Sequence, residues 1–212
     1  MKQTSRTLIA FLLAAAVALA MACAPKATRA DHASQDSVEV KPALRPVIEN
    51  ALEQTAQTTV YDPSYVKLAY PGGDLPIERG VCADVIVRAF RKGGVDLQKE
   101  VHEDMARDFA AYPQRWGLKA PDTNIDHRRV PNLMTFFKRR GKLRPITESA
   151  KDYEPGDVVA WDLGGGLTHI GIVVNRRARD GERYYIVHNI GAGARLEDVL
   201  FNWRQIGHYR YF

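Results

Sequence analysis

An α+β domain is expected from this sequence on three observations. Apolar residues recur at i, i+3, i+4 in several segments between Pro42 and Arg140, the spacing of half-buried helices. From Asp157 onward they fall instead in short runs rich in Val, Ile and Tyr. Asp180-Gly181 separates two of these runs, which is a hairpin signal. Helices first and antiparallel strands after place N-terminal helices on a small antiparallel sheet.

The chain does not begin with that domain. Lys2 and Arg6 precede an uncharged apolar run, Leu8 to Ala22, that ends in Ala20-Met21-Ala22. A positive start, an apolar stretch and small residues at the end describe a signal peptide over residues 1–22. The run is short for a bilayer span, and no second apolar stretch of spanning length follows. An exported, periplasmic protein is expected, with no integral span in the mature chain. Leu19-Ala20-Met21-Ala22-Cys23 resembles a lipobox, so Cys23 is expected to become a lipidated N-terminus anchored in the outer membrane. Ordinary cleavage, leaving a free Cys23, is the alternative.

The sequence holds two cysteines. Without lipidation, Cys23–Cys82 is the one intramolecular disulfide available. With it, Cys82 is a lone thiol in an oxidising compartment, which has to be buried or used. Net charge is +5. Loss of residues 1–22 removes Lys2 and Arg6 and no acid, so 5 − 2 leaves +3. Neither the charge nor export suits a nucleic-acid partner; a mild positive balance is compatible with an anionic envelope polymer.

Residues 23–41 are polar, mixed in charge and without periodicity, the composition of a flexible tether. The folded domain is expected over 42–212. Leu44, Val47, Ile48, Ala51 and Leu52 predict a helix over 42–57, and Thr58 to Tyr61 a short extended piece. A turn-rich loop from Tyr70 to Pro76 then leads to Gly80-Val81-Cys82. Val85, Ile86, Ala89 and Phe90 predict a helix that starts at Cys82 and stops at Gly93-Gly94. Leu97 to Phe109 reads as helix, 110–129 as loop, and Val130 to Arg140 as a short amphipathic helix capped by Gly141. Strands are expected over 157–161, 167–174 and 183–189, with a last one from Gly207 to Phe212.

Cys82 at a helix start meets unpaired N–H groups and the positive end of the helix dipole, which favour thiolate. The bland alternative is a small buried cysteine packing that helix start. A cysteine nucleophile needs a base, and the base a third group to hold it. His169, Gly171 and Val173 share one face of a strand by period two, with Gly171 leaving room for a ligand. Antiparallel pairing brings His188 near His169, so Cys82, His169 and His188 make a candidate triad, with Asn189 as substitute orienter. His169 alone on an apolar strand is more often a satisfied core residue, and His188 could be the same. Asp84, two residues into the helix, suits the helix N-terminus but would raise the Cys82 pKa. Within Asp126-His127-Arg128-Arg129 the residues His127, Arg128 and Arg129 are candidates for binding a substrate carboxylate, against a solvated loop; Asp84 joins them as a candidate.

These motifs carry a resemblance. Cys82 opening a helix, Pro155-Gly156-Asp157 entering a strand, His169-Ile170-Gly171-Ile172-Val173 and Ile186-Val187-His188 resemble the NlpC-type papain-fold cell-wall peptidases. The likeness implies a papain-like α+β fold, Cys82 as nucleophile, His169 as base and His188 as third member. It also implies Tyr70, in Tyr70-Pro71-Gly72-Gly73, as a helper of the oxyanion hole. Nearly the whole span from Tyr61 to Phe212 is similar to the bacterial family called domain of unknown function 1287, through YDPSYVKLAYPGGDLPIERGVCADV, VHEDM, DTNIDHRRVPNL, GLTHIGIVV and HNIGAG. Departures from the NlpC pattern are Asp84 after the cysteine, the long His169–His188 connection and the insert over 95–145.

The expected function is an exported cysteine hydrolase, an amidase or endopeptidase acting on peptidoglycan stem peptides or another envelope amide. The alternatives are an envelope-binding lipoprotein with an inert thiol, and a cysteine acyltransferase or thioesterase. No cofactor is expected. A zinc site of one thiolate and two imidazoles is a further reading, without C-x-x-C or H-x-x-x-H spacing to support it.

Overall fold

A computed structural model describes residues 37–212. The signal peptide, Cys23 and most of the tether lie outside the described residues. The last of the tether, from Ser37, runs beside the sheet: the Val38 N–H donates to the Asn175 carbonyl at 2.8 Å, and Asn175 Nδ2 donates back to the Val38 carbonyl at 2.7 Å.

The first helix, α1 (Arg45–Gln57), buries Val47, Ile48 and Ala51, the stripe its spacing predicts. Two short strands, β1 (Val60–Tyr61) and β2 (Arg79–Gly80), pair in parallel with Tyr61 opposite Gly80. This pairing holds the chain just before α2 (Cys82–Lys92). Val85, Ile86, Ala89 and Phe90 of α2 are fully buried, and Gly94 at φ +81° ends the helix in the conformation glycine adopts without strain. Next come α3 (Leu97–Arg107), which Asp96 caps by accepting from the Gln98 N–H, and α4 (Val130–Arg139). The segment expected as loop before α4 contains two single-turn helices, Phe109–Ala111 and Asp126–Arg128.

Five antiparallel strands form the sheet: β3 (Val158–Gly164), β4 (Leu167–Arg177), β5 (Tyr184–Asn189), β6 (Ala194–Glu197) and β7 (Arg204–Tyr209). Their order is β6-β5-β4-β3-β7. The sheet is as expected antiparallel, with the helices on it, and the α+β layout is present. Two details differ. The last strand begins at Arg204 and ends at Tyr209, because its partners on β3 run from Asp162 to Val158. And β6, four residues with no isolated signal of their own, exists because β5 offers it an edge, Asn189↔Ala194 to Ile186↔Glu197.

Alternation on β4 sorts the core. Ile170, Ile172 and Val174 join α1, α2 and α4 in one cluster, where Phe90 and Phe137 lie 5.7 Å apart between ring centres. The opposite face carries Val159, Trp161, Val173 and Ile186 under Leu200. His169 belongs to this second face, its ring stacked on Trp161 at 5.7 Å. Hence the helix that bears Cys82 packs on one face of the sheet and His169 belongs to the other.

Candidate active site

Cys82 reaches the sheet in the first part of β4. Pairing with β5 begins at Gly171↔His188, so the preceding N–H, that of Ile170, is left for another acceptor. It points at the Cys82 sulfur, as do the N–H groups of Ala83 and Cys82 itself. Cys82 therefore touches β4 at the residue after His169, with backbone donors around its sulfur. It lies on the floor of a cleft of about 320 Å³, walled by Tyr61, Trp116, Arg129 and Thr168 among others, and is 5% exposed.

The expectation of a thiolate at rest is corrected here. Burial outweighs the three N–H groups and pushes the Cys82 thiol up to about 12, with Asp84 adding in the same direction. Helix-end stabilisation fades where water is excluded, because desolvation acts on the charged form. His169 is shifted the opposite way. Burial against Trp161 and Trp203, then the neighbouring His188, lowers it to about 3. Both groups rest neutral.

His169 Nε2 lies 2.8 Å from His188 Nδ1. His188 Nε2 in turn lies 2.9 Å from Glu197 Oε2, on β6. An ionised carboxylate only accepts, so His188 carries its proton on Nε2 and accepts at Nδ1; His169 then carries its proton on Nε2. This leaves the Nδ1 lone pair of His169 unprotonated. Burial lowers the His188 pKa and the Glu197 carboxylate works against that shift. Glu197 is absent from the sequence reading. The alternation of Ala194-Arg195-Leu196-Glu197 was a faint sign of a strand, but nothing local says which strand it pairs.

Other candidates fall elsewhere. Asp84 and Arg128 are turned inward: Arg128 Nε donates to Asp84 Oδ1 at 3.0 Å, and its Nη atoms donate to the Ser64 and Asp62 carbonyls at 2.8 Å each. Asp84 also accepts from the Val81 N–H at 2.6 Å, closing the first turn of α2. Both side chains are about 96% or more buried, so they brace the helix that bears Cys82 and leave no group free for a ligand. His127 is buried too, and burial lowers it to about 3. Of that cluster only Arg129 faces the cleft with a partly open side chain, lying over the Trp116 ring at 4.1 Å and paired with Asp126 at 3.1 Å. Asn189 donates to the Gly80 carbonyl at 2.9 Å, tying β5 to the strand before Cys82, and does not orient His169.

Tyr70 is displaced from its expected role. It is half-exposed, packs edge-on against His102 at 5.0 Å and does not line the cleft. Tyr61 takes that place. Burial, then the nearby Cys82 and Asp84, raises its phenol pKa. Nor is there space for a ligand at Gly171: a Cβ there would come within 2.6 Å of Ile186 Cγ2 and 3.2 Å of Trp161. The glycine is needed for the packing of the histidine pair. As for metal, the facing nitrogens of His169 and His188 are bonded to each other, and among the described residues no three His, Cys, Asp or Glu converge on a metal position.

Comparison with known proteins agrees with the sequence motifs. Residues 48–211 match the family model described as Domain of unknown function (DUF1287). The chain belongs to this family. The chain is also similar to an Escherichia coli (strain K12) protein described as Uncharacterized protein YijF, 60% identical over 166 residues that cover 78% of this chain and 80% of that one. Among solved structures, the DUF1287 chain is similar to a Staphylococcus aureus protein described as similar to lipoprotein, of the NLP/P60 family. Identity is 14% and the TM-score 0.40, over 82% of this chain and 43% of that chain, so this chain spans less than half its length.

Proposed function

We propose that this protein is a cysteine hydrolase of envelope amides, with peptidoglycan stem peptides as the substrate class its export suggests. One observation carries the proposal: a neutral His169, its Nε2 proton held by His188 and Glu197, sits one residue from the N–H that reaches the Cys82 sulfur. In the proposed reaction the Cys82 S–H proton passes to His169 Nδ1 as sulfur attacks the amide carbonyl carbon. The carbonyl oxygen becomes an oxyanion that the Cys82 N–H and the Tyr61 hydroxyl would stabilise. The imidazolium returns the proton to the departing amine, leaving a thioester. Water, deprotonated by His169, then releases the acid and restores the thiol. Because thiol and imidazole both rest neutral, proton transfer accompanies attack and no ion pair waits beforehand.

A second reading, a binding protein with an inert thiol, is favoured by the burial of Cys82 and its raised pKa. Digestion of purified peptidoglycan followed by mass spectrometry separates them. The hydrolase predicts new amine and carboxyl ends that vanish in Cys82→Ala and His169→Ala. Unaltered wall, together with wall binding that survives in Cys82→Ala, would favour the binding protein. Thioester substrates that acylate Cys82 while amides stay intact would turn the proposal toward an acyltransferase. Export and the lipid anchor at Cys23 remain proposals from sequence; among the described residues no helix is long and apolar enough to cross a membrane.

A further inference from the structure

The Cys82 cleft does not end at Trp116. Arg115, Pro131 and Thr168 line it and also line a second groove of about 670 Å³, which continues between α4 and the segment before β3. The far groove is walled by Met134, Leu143 and Ile146, the last two about half-exposed. Two facts about its charge point to a ligand. No aspartate or glutamate lines either cavity, although the chain holds 25 of them. And the three cations of the far groove, Arg115, Lys138 and Arg144, have no ion-pair partner among the described residues. The neighbouring Arg139 and Arg140, at the end of the helix that carries Lys138, are both paired with carboxylates, at 2.6 Å and 2.5 Å. Cations left unpaired along an apolar trough are positioned to meet carboxylates brought by a ligand.

We propose that this trough is a binding site for an extended acidic peptide, which it leads toward Cys82. Aliphatic and backbone parts of the peptide lie on Met134, Leu143 and Ile146, and its carboxylates reach Arg115, Lys138 and Arg144. That the bound peptide is also the one cleaved rests on the hydrolase proposal above; that it binds does not.

The test uses the full chain carrying Cys82→Ala, so that turnover plays no part. A hexapeptide of alternating glutamate and alanine, blocked at both ends, is titrated in and followed by amide chemical shifts, beside its glutamine counterpart. Shifts around Lys138, Arg144 and Thr168 are expected with the glutamate peptide alone, weakening at about 1 M salt, where screening cuts in beyond about 3 Å. The double variant Lys138→Ala with Arg144→Ala should lose roughly tenfold in affinity. Arg179→Ala, an exposed cation at the β4–β5 turn, should lose none. Equal binding of the glutamate and glutamine peptides, or an unchanged double variant, would overturn the site. Equal displacement by a phosphate oligomer of the same charge would overturn its assignment to peptide. Peptide binding with no cleavage of any wall fragment by the parent protein would sink the hydrolase and leave the trough standing.

Discussion

His169 Nε2 lies 2.8 Å from His188 Nδ1, and the proton between them has its place set by a third residue, Glu197, 2.9 Å further on. The carboxylate cannot donate, so the pair is held in the tautomers that leave His169 Nδ1 as an acceptor. Replacement of Glu197 by glutamine lets either end of the amide face His188 and frees both rings to change tautomer. Turnover by Glu197→Gln is expected to fall on the order of 10- to 100-fold, less than the loss of about 10⁴ when a buried orienting carboxylate goes, since Glu197 is 46% exposed and water can replace it. Nitrogen-15 shifts of the two rings would report mixed tautomers while the melting temperature stays close to the parent's. Unchanged ring shifts would refute the relay.

Cys82 should react as a thiol. With its pKa pushed up to about 12 by burial, alkylation of a chain beginning after Cys23 is expected to quicken steadily from pH 7 to 10 without a plateau. A plateau already present near pH 6–7, lost in His169→Ala, would instead show a preformed thiolate–imidazolium pair.

Tyr61 and Tyr70 make opposite predictions under one change. Tyr61→Phe removes a hydroxyl from the wall of the Cys82 cleft and is expected to lower kcat on the order of 100-fold, the cost of one oxyanion donor. Tyr70→Phe, at the His102 side, should leave kcat within twofold of the parent, roughly what an exposed contact away from the reaction is worth. A reversal of these two results would restore Tyr70 to the site.

The Asp84–Arg128 pair braces the helix that bears Cys82. Asp84→Ala strands a buried guanidinium and unties the Val81 N–H, so a loss of roughly 3–5 kcal/mol is expected in denaturant unfolding. Asp84→Ala with Arg128→Met should recover much of it. If the single variant is as stable as the parent, the pair has no structural role and Arg128 becomes available to substrate again.

Acid should weaken the fold before carboxylates begin to titrate. His127 and His169 are lowered to about 3 and His188 is lowered as well, so below pH 6.5 the unfolded chain binds protons on all three that the folded chain refuses. Stability is full above pH 6.5 and falls as pH drops through that window, by about 1.4 kcal/mol per pH unit for each histidine. Denaturant titrations at pH 7 and pH 5 measure the slope, and His127→Leu should remove its own share, about 1.4 kcal/mol per pH unit. A slope unchanged in that variant would show that His127 titrates normally.

Much of the fold was legible because it is written at short range. Periods of 3.6 and 2, the glycines after α2 and before β5, and Cys82 at a helix start are properties of neighbouring residues, and they located α1 through α4, β3, β4 and β5. Cys82, His169 and His188 emerged from the same local patterns and from motif likeness. Three features were not legible there. Glu197 reaches His188 through the β5–β6 register, Tyr61 stands in the cleft because β1 pairs with β2 across a loop of 17 residues between Asp62 and Glu78, and the thiol's acidity depends on how much water the finished structure excludes. Pairing between distant segments and desolvation are sums over the whole packed chain. The sequence by itself offered Cys82, His169 and His188 as candidates; only the tertiary structure decided which residues surround them, in which tautomer and at what charge.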